Sequence, residues 1–348
     1  MIIEDSESSV AEEIARIIAD YRRGHVPQRT QDHVIRFVDQ INEICTWMGA
    51  SERLLFLQGL RTALTNSYWS ASRIRMYMRP LLSMTGVNQG EEWVMLALQE
   101  SESSQLRLVR DVEVGDGLMV SSRFLETHDS YIYVDDAAYT GRTLVKYFQR
   151  IADEVSVMSR RSRQLVVWHL TEYSSETMGR LGEQLGRLQN LNVDVTFQRV
   201  EDFSTTTSGS KLGVLFPGSS CAESPIVQRF LKSRPNLRSI AHNPQLWRDE
   251  SELFEDGLFA SNEERSVVEL AMLEVGCWIF MKVEKPLFRP LGYVANLNSD
   301  VSLGFGSMFA TCHNSANTTP IAMWWGDPFK YPNSPLGVWN PLLPRYAG

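Results

Sequence analysis

A short segment in the middle of the chain places acidic, hydroxyl and glycine residues in an order suited to binding a sugar phosphate. Four apolar residues at 131–134 precede two adjacent carboxylates, Asp135 and Asp136, and the stretch Thr-Gly-Arg-Thr follows at 140–143. The apolar run predicts a strand ending at Val134, and the residues after the stretch predict a helix. In an open parallel sheet, ligands bind outside the carboxyl ends of the strands, which is where this loop would lie.

The residues after the two acids have the chemistry of a phosphate site. The backbone N–H groups of 139–143 precede a predicted helix, where unpaired donors and the helix dipole favour an anion. Gly141 allows the backbone to approach that anion closely, and the two threonines of the stretch add hydroxyl donors. Carboxylates repel phosphate, so Asp135 and Asp136 fit best if the ligand places two neighbouring hydroxyls beside them. The pattern therefore predicts a site for a ribose 5-phosphate.

The segment from Val134 to Thr143 resembles the phosphoribosyl-pyrophosphate-binding motif of type I phosphoribosyltransferases: an apolar run, two acids, three residues and Thr-Gly-x-Thr. The resemblance implies a glycosyltransferase that binds phosphoribosyl pyrophosphate, with Mg²⁺ carried on the pyrophosphate, and transfers the phosphoribosyl group to an acceptor. It implies a catalytic role for Asp135 and Asp136 at the ribose hydroxyls. It also implies that the 5′-phosphate is bound by Tyr139, Thr140, Gly141, Arg142 and Thr143.

The loop that would bind pyrophosphate in such a protein follows the first predicted strand, at Leu98–Gln105. Here Glu100 and Glu102 are unfavourable neighbours for pyrophosphate unless Mg²⁺ intervenes. Ser101 and Ser103 lie at a predicted helix start and can donate hydrogen bonds to the substrate.

Other residues are candidates for recognising the acceptor. Tyr139 stands where purine-type relatives have an acid that contacts the base, so ordinary purine salvage is disfavoured. Thr171, Glu172 and Tyr173 end the strand after the motif helix and would face the same crevice if the sheet is parallel; the alternative is that they cap the next helix. Asn314 and Asn317 precede an apolar run at 321–325, interpreted as a strand, and their amides could read a base; the alternative is that they form turns. The acceptor itself is left open.

The segments that would position these residues are helical at first and then alternate between strand and helix. The predicted helices are 10–22, 32–47, 51–64, 71–78 (ended by Pro80), 106–112, 142–155, 176–188 and 263–281, and the predicted strands are 93–98, 131–134, 164–170, 193–200 and 212–216. This order predicts an α/β fold with a parallel sheet, a phosphoribosyltransferase-like (Rossmann-like) core.

We predict three regions: a helical N-terminal region at 1–90, the α/β core at 91–216, and an extension at 217–348 that packs on the core. The tail carries Trp324, Trp325 and Trp339, too much apolar area to leave in water. The helical front and this tail resemble the phosphoribosyltransferase-like effector group of bacterial conflict systems. That resemblance implies a toxic or antiviral defence effector that acts beside a sensor partner.

Composition and charge indicate the kind of protein and the cellular compartment. The net charge is −8, and the first twenty residues carry −5 of it, so most of the chain is near neutral. The four cysteines have no C-x-x-C spacing, which favours reduced thiols in a cytoplasmic protein over a zinc site or a disulfide framework. No secretory signal is apparent, and the charged residues within 266–283 argue against a membrane span.

Three alternatives stay open. A basic cluster within 142–163 could bind nucleic acid, although a solvated helix end is the more common explanation. A non-catalytic nucleotide sensor on the same fold would keep the phosphate site and lose pyrophosphate handling, as the acidic 98–105 loop suggests. A scaffold or partner-binding subunit would use neither the phosphate site nor the pyrophosphate loop.

Overall fold

The structure is a computed structural model, and the residues it describes fall into two compact units. One unit comprises 1–70 and 204–348, and the other comprises 71–203. The described residues are 5–84, 93–99, 104–112, 119–138, 141–172, 174–202, 213–234, 246–248, 257–283, 288–293, 302–328 and 331–345.

The secondary structure alternates in the second unit and is mainly helical in the first. In chain order, the elements of the described residues are α1 (Glu7–Ile17), α2 (Gln31–Ile44), α3 (Ala50–Ser67), β1 (Tyr68–Trp69), α4 (Ala71–Met84), β2 (Trp93–Leu96), α5 (Ser104–Val112), β3 (Met119–Ser121), β4 (Ser130–Ala138), α6 (Arg142–Ser156), β5 (Arg163–Glu172), α7 (Ser174–Asn190), β6 (Val193–Asp202), α8 (Pro225–Lys232), α9 (Asn262–Lys282), β7 (Ala310–Thr311) and α10 (Ile321–Trp324). Short 3₁₀ helices cover Ser219–Glu223 and Pro335–Val338.

The second unit is built on a parallel sheet of five strands in the order β3-β2-β4-β5-β6. In β4, Tyr133 pairs with Leu96 of β2 on one side and with Val167 of β5 on the other. The chain moves outward from β2 to β3 and then outward in the opposite direction from β4 to β6. The sheet therefore has a topological switch point between β2 and β4, which is where ligands bind in open α/β folds. The predicted α/β fold with a parallel sheet is confirmed.

The core of this unit explains why the strands appear in the sequence as continuous apolar runs. One face of the sheet packs on α6 and α7 through a cluster of buried side chains, and residues 132, 134, 166 and 168 of the central strands are buried as well. Strands buried on both faces need apolar residues at every position, not at alternate ones. The main members of the cluster are Val94, Leu96, Tyr131, Tyr133, Leu165, Val167, Leu144, Phe148, Ile151, Leu181 and Leu188.

Two sequence predictions for the second unit need correction, and one strand was missed. β4 runs to Ala138, four residues beyond the predicted end, because β5 continues alongside it and pairs with 137 and 138. Helix α4 continues past Pro80 to Met84, since a proline removes one helical hydrogen bond without having to end the helix. Strand β3 was not predicted, because three residues with Met119 and Val120 exposed show no apolar period.

The first unit is organised around α9, which contacts α2, α3, α8 and α10. Most of its residues are buried, as expected for a helix enclosed on several sides. Buried Glu269 pairs with Arg265 at 2.8 Å and with Arg248 at 3.0 Å, so these three buried charges compensate one another. No described helix is long and apolar enough to cross a membrane.

The C-terminal tail contributes to the interior of the first unit. Trp324 and Trp339 are buried, and their indole N–H groups donate to the carbonyls of Thr319 and Ala322 at 2.8 and 2.7 Å. The predicted burial of these two tryptophans is confirmed. All four cysteines are free and buried, which agrees with the prediction that they form no disulfide framework.

Two predicted strands in the first unit are wrong. The run at 321–325 forms the short helix α10, because four or five apolar residues do not distinguish a strand from a buried helical turn. Within 213–216, Val214 makes a single bridge to Ser307 and no strand forms in this described part; residue 212 lies outside the described residues.

Candidate functional site

The acid pair lies at the carboxyl end of β4, the central strand of the sheet. Asp135 is buried, with 5% of its surface exposed, whereas Asp136 is partly exposed. Successive side chains of a strand leave the backbone on opposite sides, yet the carboxyl groups of these two acids lie close enough for a side-chain hydrogen bond. The Oδ2 atom of Asp135 accepts hydrogen bonds from the Tyr133 hydroxyl at 2.8 Å and from Nε2 of Gln99 at 2.9 Å. Its Oδ1 atom accepts the Asp136 N–H at 2.9 Å.

The hydrogen bond from Gln99 crosses the switch point of the sheet. Gln99 follows β2, and its backbone N–H donates to Oε1 of Gln105 in α5 at 3.0 Å. Gln105 is fully buried and donates through Nε2 to the carbonyl of Leu96 at 2.9 Å. This network joins the end of β2, the start of α5 and the end of β4, so the side chains at the switch point are held in fixed positions.

The electrostatics of the acid pair follow from burial. Burial raises the pKa of Asp135 well above its ordinary value, and the neighbouring charge of Asp136 raises it further. The hydrogen bonds from Tyr133 and from the Asp136 N–H lower that pKa and offset part of the rise. Burial also raises the pKa of Tyr133 well above its ordinary value, with a further contribution from Asp135. Burial therefore disfavours the charged forms of both Asp135 and Tyr133.

The loop between β4 and α6 needs a glycine at its last position. Gly141 precedes α6 with a φ of +65°, in the left-handed region, and its carbonyl accepts the N–H of Val145 at 2.8 Å. A Cβ at this position would lie 3.2 Å from the Cα and the carbonyl oxygen of Thr177. Thr177 itself is buried in α7 and donates its hydroxyl to the carbonyl of Ala138 at 3.1 Å. The start of α7 therefore packs closely on both ends of the loop.

The remaining predicted ligands of the motif are placed as follows. Arg142 and Thr143 form the first turn of α6 and are exposed, at the helix end whose dipole favours anions. Glu172 ends β5, with its backbone beside Ala138 and its side chain outside the described part. Tyr139, Thr140, Ser101 and Ser103 lie outside the described residues.

Asn314 and Asn317 belong to the first unit, so the structure does not bring them together with the acids within one unit. Asn314 forms a turn with Thr311, whose N–H donates to the Asn314 carbonyl at 2.8 Å. The Asn317 carbonyl accepts the N–H of Tyr293 at 2.7 Å, and the residue is otherwise exposed.

Two residues at the end of the sheet, Tyr133 and Gln99, add to the set that the sequence suggested, and Thr171 directly precedes the predicted Glu172. Tyr133 lies two residues before Asp135 on the same strand face, so strand alternation could have identified it. Gln99 reaches the site from 36 residues away in the chain, which no local pattern reveals. Thr171 pairs with Ala137 and is fully buried, and its hydroxyl has no hydrogen-bond partner in the described part of the chain. A buried hydroxyl in this state costs roughly 1–3 kcal/mol unless a ligand satisfies it.

The described residues contain no group of three or more His, Cys, Asp or Glu side chains that could hold a metal ion. Among the described side chains at the site, Asp136 offers a partly exposed carboxylate. Mg²⁺ commonly uses one or two carboxylates together with substrate phosphates and water. The donor set therefore fits a Mg²⁺ ion that arrives with a phosphorylated substrate.

The basic cluster at 142–163 is partly neutralised by acids. Arg150 pairs with Glu154 at 3.0 Å, and Arg161 pairs with Asp129 at 2.8 Å. Arg163 is buried. These contacts favour a structural role for the cluster, and binding of nucleic acid stays a prediction.

Comparison with known proteins identifies the family. A family model, PRTase-CE, matches residues 58–345, which include the whole second unit and the acid motif. The chain belongs to the PRTase-CE family. The predicted membership of this phosphoribosyltransferase-like effector group is thus confirmed, and the parallel sheet of this PRTase-CE protein agrees with it. No match is found among curated proteins, and none among solved structures.

Proposed function

We propose that this PRTase-CE protein binds the ribose 5-phosphate part of phosphoribosyl pyrophosphate at the carboxyl end of β4. One observation carries the proposal: an acid pair lies near the carboxyl end of the central parallel strand at the switch point, and α6 begins six residues after Asp136, directly after a left-handed glycine. Acids beside a helix N-terminus suit a ligand with hydroxyls at one end and a phosphate at the other.

Each part of the site has a role in this proposal. A carboxylate accepts hydrogen bonds from the ribose hydroxyls, and the first turn of α6 with the Thr143 hydroxyl binds the 5′-phosphate. Gly141 keeps the backbone close to that phosphate. Mg²⁺ bound to the pyrophosphate would neutralise charge on the leaving group.

The proposed reaction is transfer of the phosphoribosyl group. A lone pair of the acceptor forms a bond to C1′ while the bond from C1′ to the pyrophosphate oxygen breaks, and pyrophosphate leaves with the bonding electrons. The acceptor loses a proton to water or to the leaving group. The protein contributes by positioning the reactants and stabilising charge rather than by covalent chemistry. Family membership supports a phosphoribosyltransferase-like effector, and we propose that it acts in bacterial defence with a protein partner as its trigger.

A second candidate is a sensor that binds the nucleotide without turnover. The observation in its favour is that both oxygens of Asp135 are already used within the protein, by Tyr133, Gln99 and the Asp136 N–H. The acids in the 98–105 loop support it as well, because they oppose pyrophosphate binding.

Calorimetric titration with phosphoribosyl pyrophosphate, with and without Mg²⁺, tests binding, and a pyrophosphate-release assay with pooled acceptors tests transfer. The transferase predicts saturable binding and release of pyrophosphate that depends on an acceptor. Binding without release favours the sensor. Absence of binding in a folded protein rules out both.

A further inference from the structure

The two acids of the site differ in their burial and in the hydrogen bonds that they accept from the protein. A carboxylate oxygen has about two lone-pair sites, and Oδ2 of Asp135 accepts from both Tyr133 and Gln99. Its Oδ1 atom accepts the N–H of Asp136, and the side chain is 95% shielded from solvent. At Oδ2 a ribose hydroxyl would have to displace one of two buried donors and leave it unsatisfied, and the remaining lone-pair site of Oδ1 belongs to a residue that exposes only 5% of its surface. Asp136 is the more accessible of the pair.

We propose that the acids have separate roles: Asp136 recognises the ribose hydroxyls, and Asp135 is a positioning residue held by Gln99 and Tyr133. This inference rests on the proposed function and deepens it by assigning sugar specificity to one carboxylate.

The positioning role follows from what the Asp135 network connects. Through Gln99 and Gln105, the Asp135 side chain is bonded to the loop after β2, the part of the chain predicted to meet pyrophosphate. Its bond to the Asp136 N–H fixes the backbone from which the Asp136 side chain leaves. Weakening the network should therefore shift the whole site and weaken the binding of any sugar phosphate, without changing the preference among sugars.

The experiment compares two ligands, ribose 5-phosphate and 2-deoxyribose 5-phosphate, by calorimetric titration. If a carboxylate binds the diol, the wild-type protein should prefer ribose 5-phosphate by roughly tenfold to a hundredfold, the range for a hydrogen bond to a charged group. Asp136→Ala should reduce this preference to near unity. Tyr133→Phe and Asp135→Asn should weaken binding of both ligands by the same factor and keep the preference.

A matched control separates positioning from general stability. Tyr131 lies two residues before Tyr133 on the same strand face, and its hydroxyl bonds to the backbone of Leu125, outside the acid network. Tyr131→Phe should lower the stability of the protein and leave the affinity for both ligands unchanged. Tyr133→Phe should lower both affinities in protein that is folded by circular dichroism.

Three results would overturn the inference. Loss of the sugar preference in Asp135→Asn with its retention in Asp136→Ala would reverse the two roles. Equal affinities for Tyr133→Phe and Tyr131→Phe would show that Asp135 positions nothing at the site. If the folded wild-type protein binds neither sugar phosphate, the proposed function fails, and the inference fails with it.

Discussion

Gly141, which precedes α6, has a backbone conformation and a close contact that a side chain would disturb. Gly141→Ala therefore tests the geometry of the site. The residue has a φ of +65°, and a left-handed conformation costs a residue with a Cβ about 1–2 kcal/mol. The new methyl group would also lie 3.2 Å from two backbone atoms of Thr177, and Thr177 cannot move without disturbing its bond to Ala138. Overpacking of this kind costs about 1–3 kcal/mol. We therefore expect a loss of about 2–5 kcal/mol in the free energy of unfolding.

Urea unfolding followed by circular dichroism measures this loss as a shift in midpoint at constant slope. Gly182→Ala in α7 is the matched control, because it makes the same chemical change at an exposed helical position where the added Cβ meets no atom within 4 Å. That variant should be more stable than the wild-type protein by about 0.5–1 kcal/mol, since alanine is the better helix former. The two substitutions thus have opposite predicted signs.

The reasoning is refuted if Gly141→Ala is as stable as the wild-type protein or is stabilised like Gly182→Ala. Either result would mean that the loop does not adopt the left-handed turn against α7, and the proposed phosphate site would lose its shape.

Two further predictions concern buried charge. The pKa of Asp135 is raised in the folded state, so above about pH 4 the unfolded chain releases this proton first and stability falls as pH rises toward the native pKa. In urea melts across pH, the stability of Asp135→Asn relative to wild type should therefore increase with pH. Glu269→Gln should cost about 3–5 kcal/mol in the same assay, because it leaves two arginines buried without their carboxylate.

Each of these predictions has its own control or contrary result. For Asp135 the test is how the stability difference between Asp135→Asn and the wild-type protein changes with pH. The loss of hydrogen bonds shifts this difference by the same amount at every pH, so a difference that is constant with pH would contradict the burial argument. For Glu269 the control is Glu12→Gln, which removes an exposed ion pair with Arg16 and should change stability by less than about 1 kcal/mol. Equal effects of the two substitutions would show that the Glu269 ion pairs are not buried.

The parts of the fold that the sequence predicted well are those with long apolar patterns. The runs around Val134 and at 164–170 are continuous because their strands are covered on both faces, so they identify buried parallel strands directly. The short elements were missed or misread because three to five residues are too few to show a repeating apolar pattern: β3 was not predicted, and α10 was predicted as a strand. The strand order depends on pairing between distant segments and has no local signal.

The same distinction applies to the candidate site. The acids, Gly141 and the start of α6 lie within one short segment, so a sequence pattern can point to them. The contacts that shape the site connect residues far apart in the chain: Gln99 bonds to Asp135 across 36 residues, and Thr177 bonds to the carbonyl of Ala138 across 39. Their side chains meet only after the sheet has formed, and their types alone do not mark them as neighbours.

Calorimetric titration of ribose 5-phosphate into the wild-type protein and into the double variant Asp135→Asn with Asp136→Asn tests the central claim most directly. We predict saturable binding at one site per chain for the wild-type protein and its loss in a double variant that remains folded. The same binding isotherm for both proteins would show that the carboxyl end of β4 does not hold the sugar.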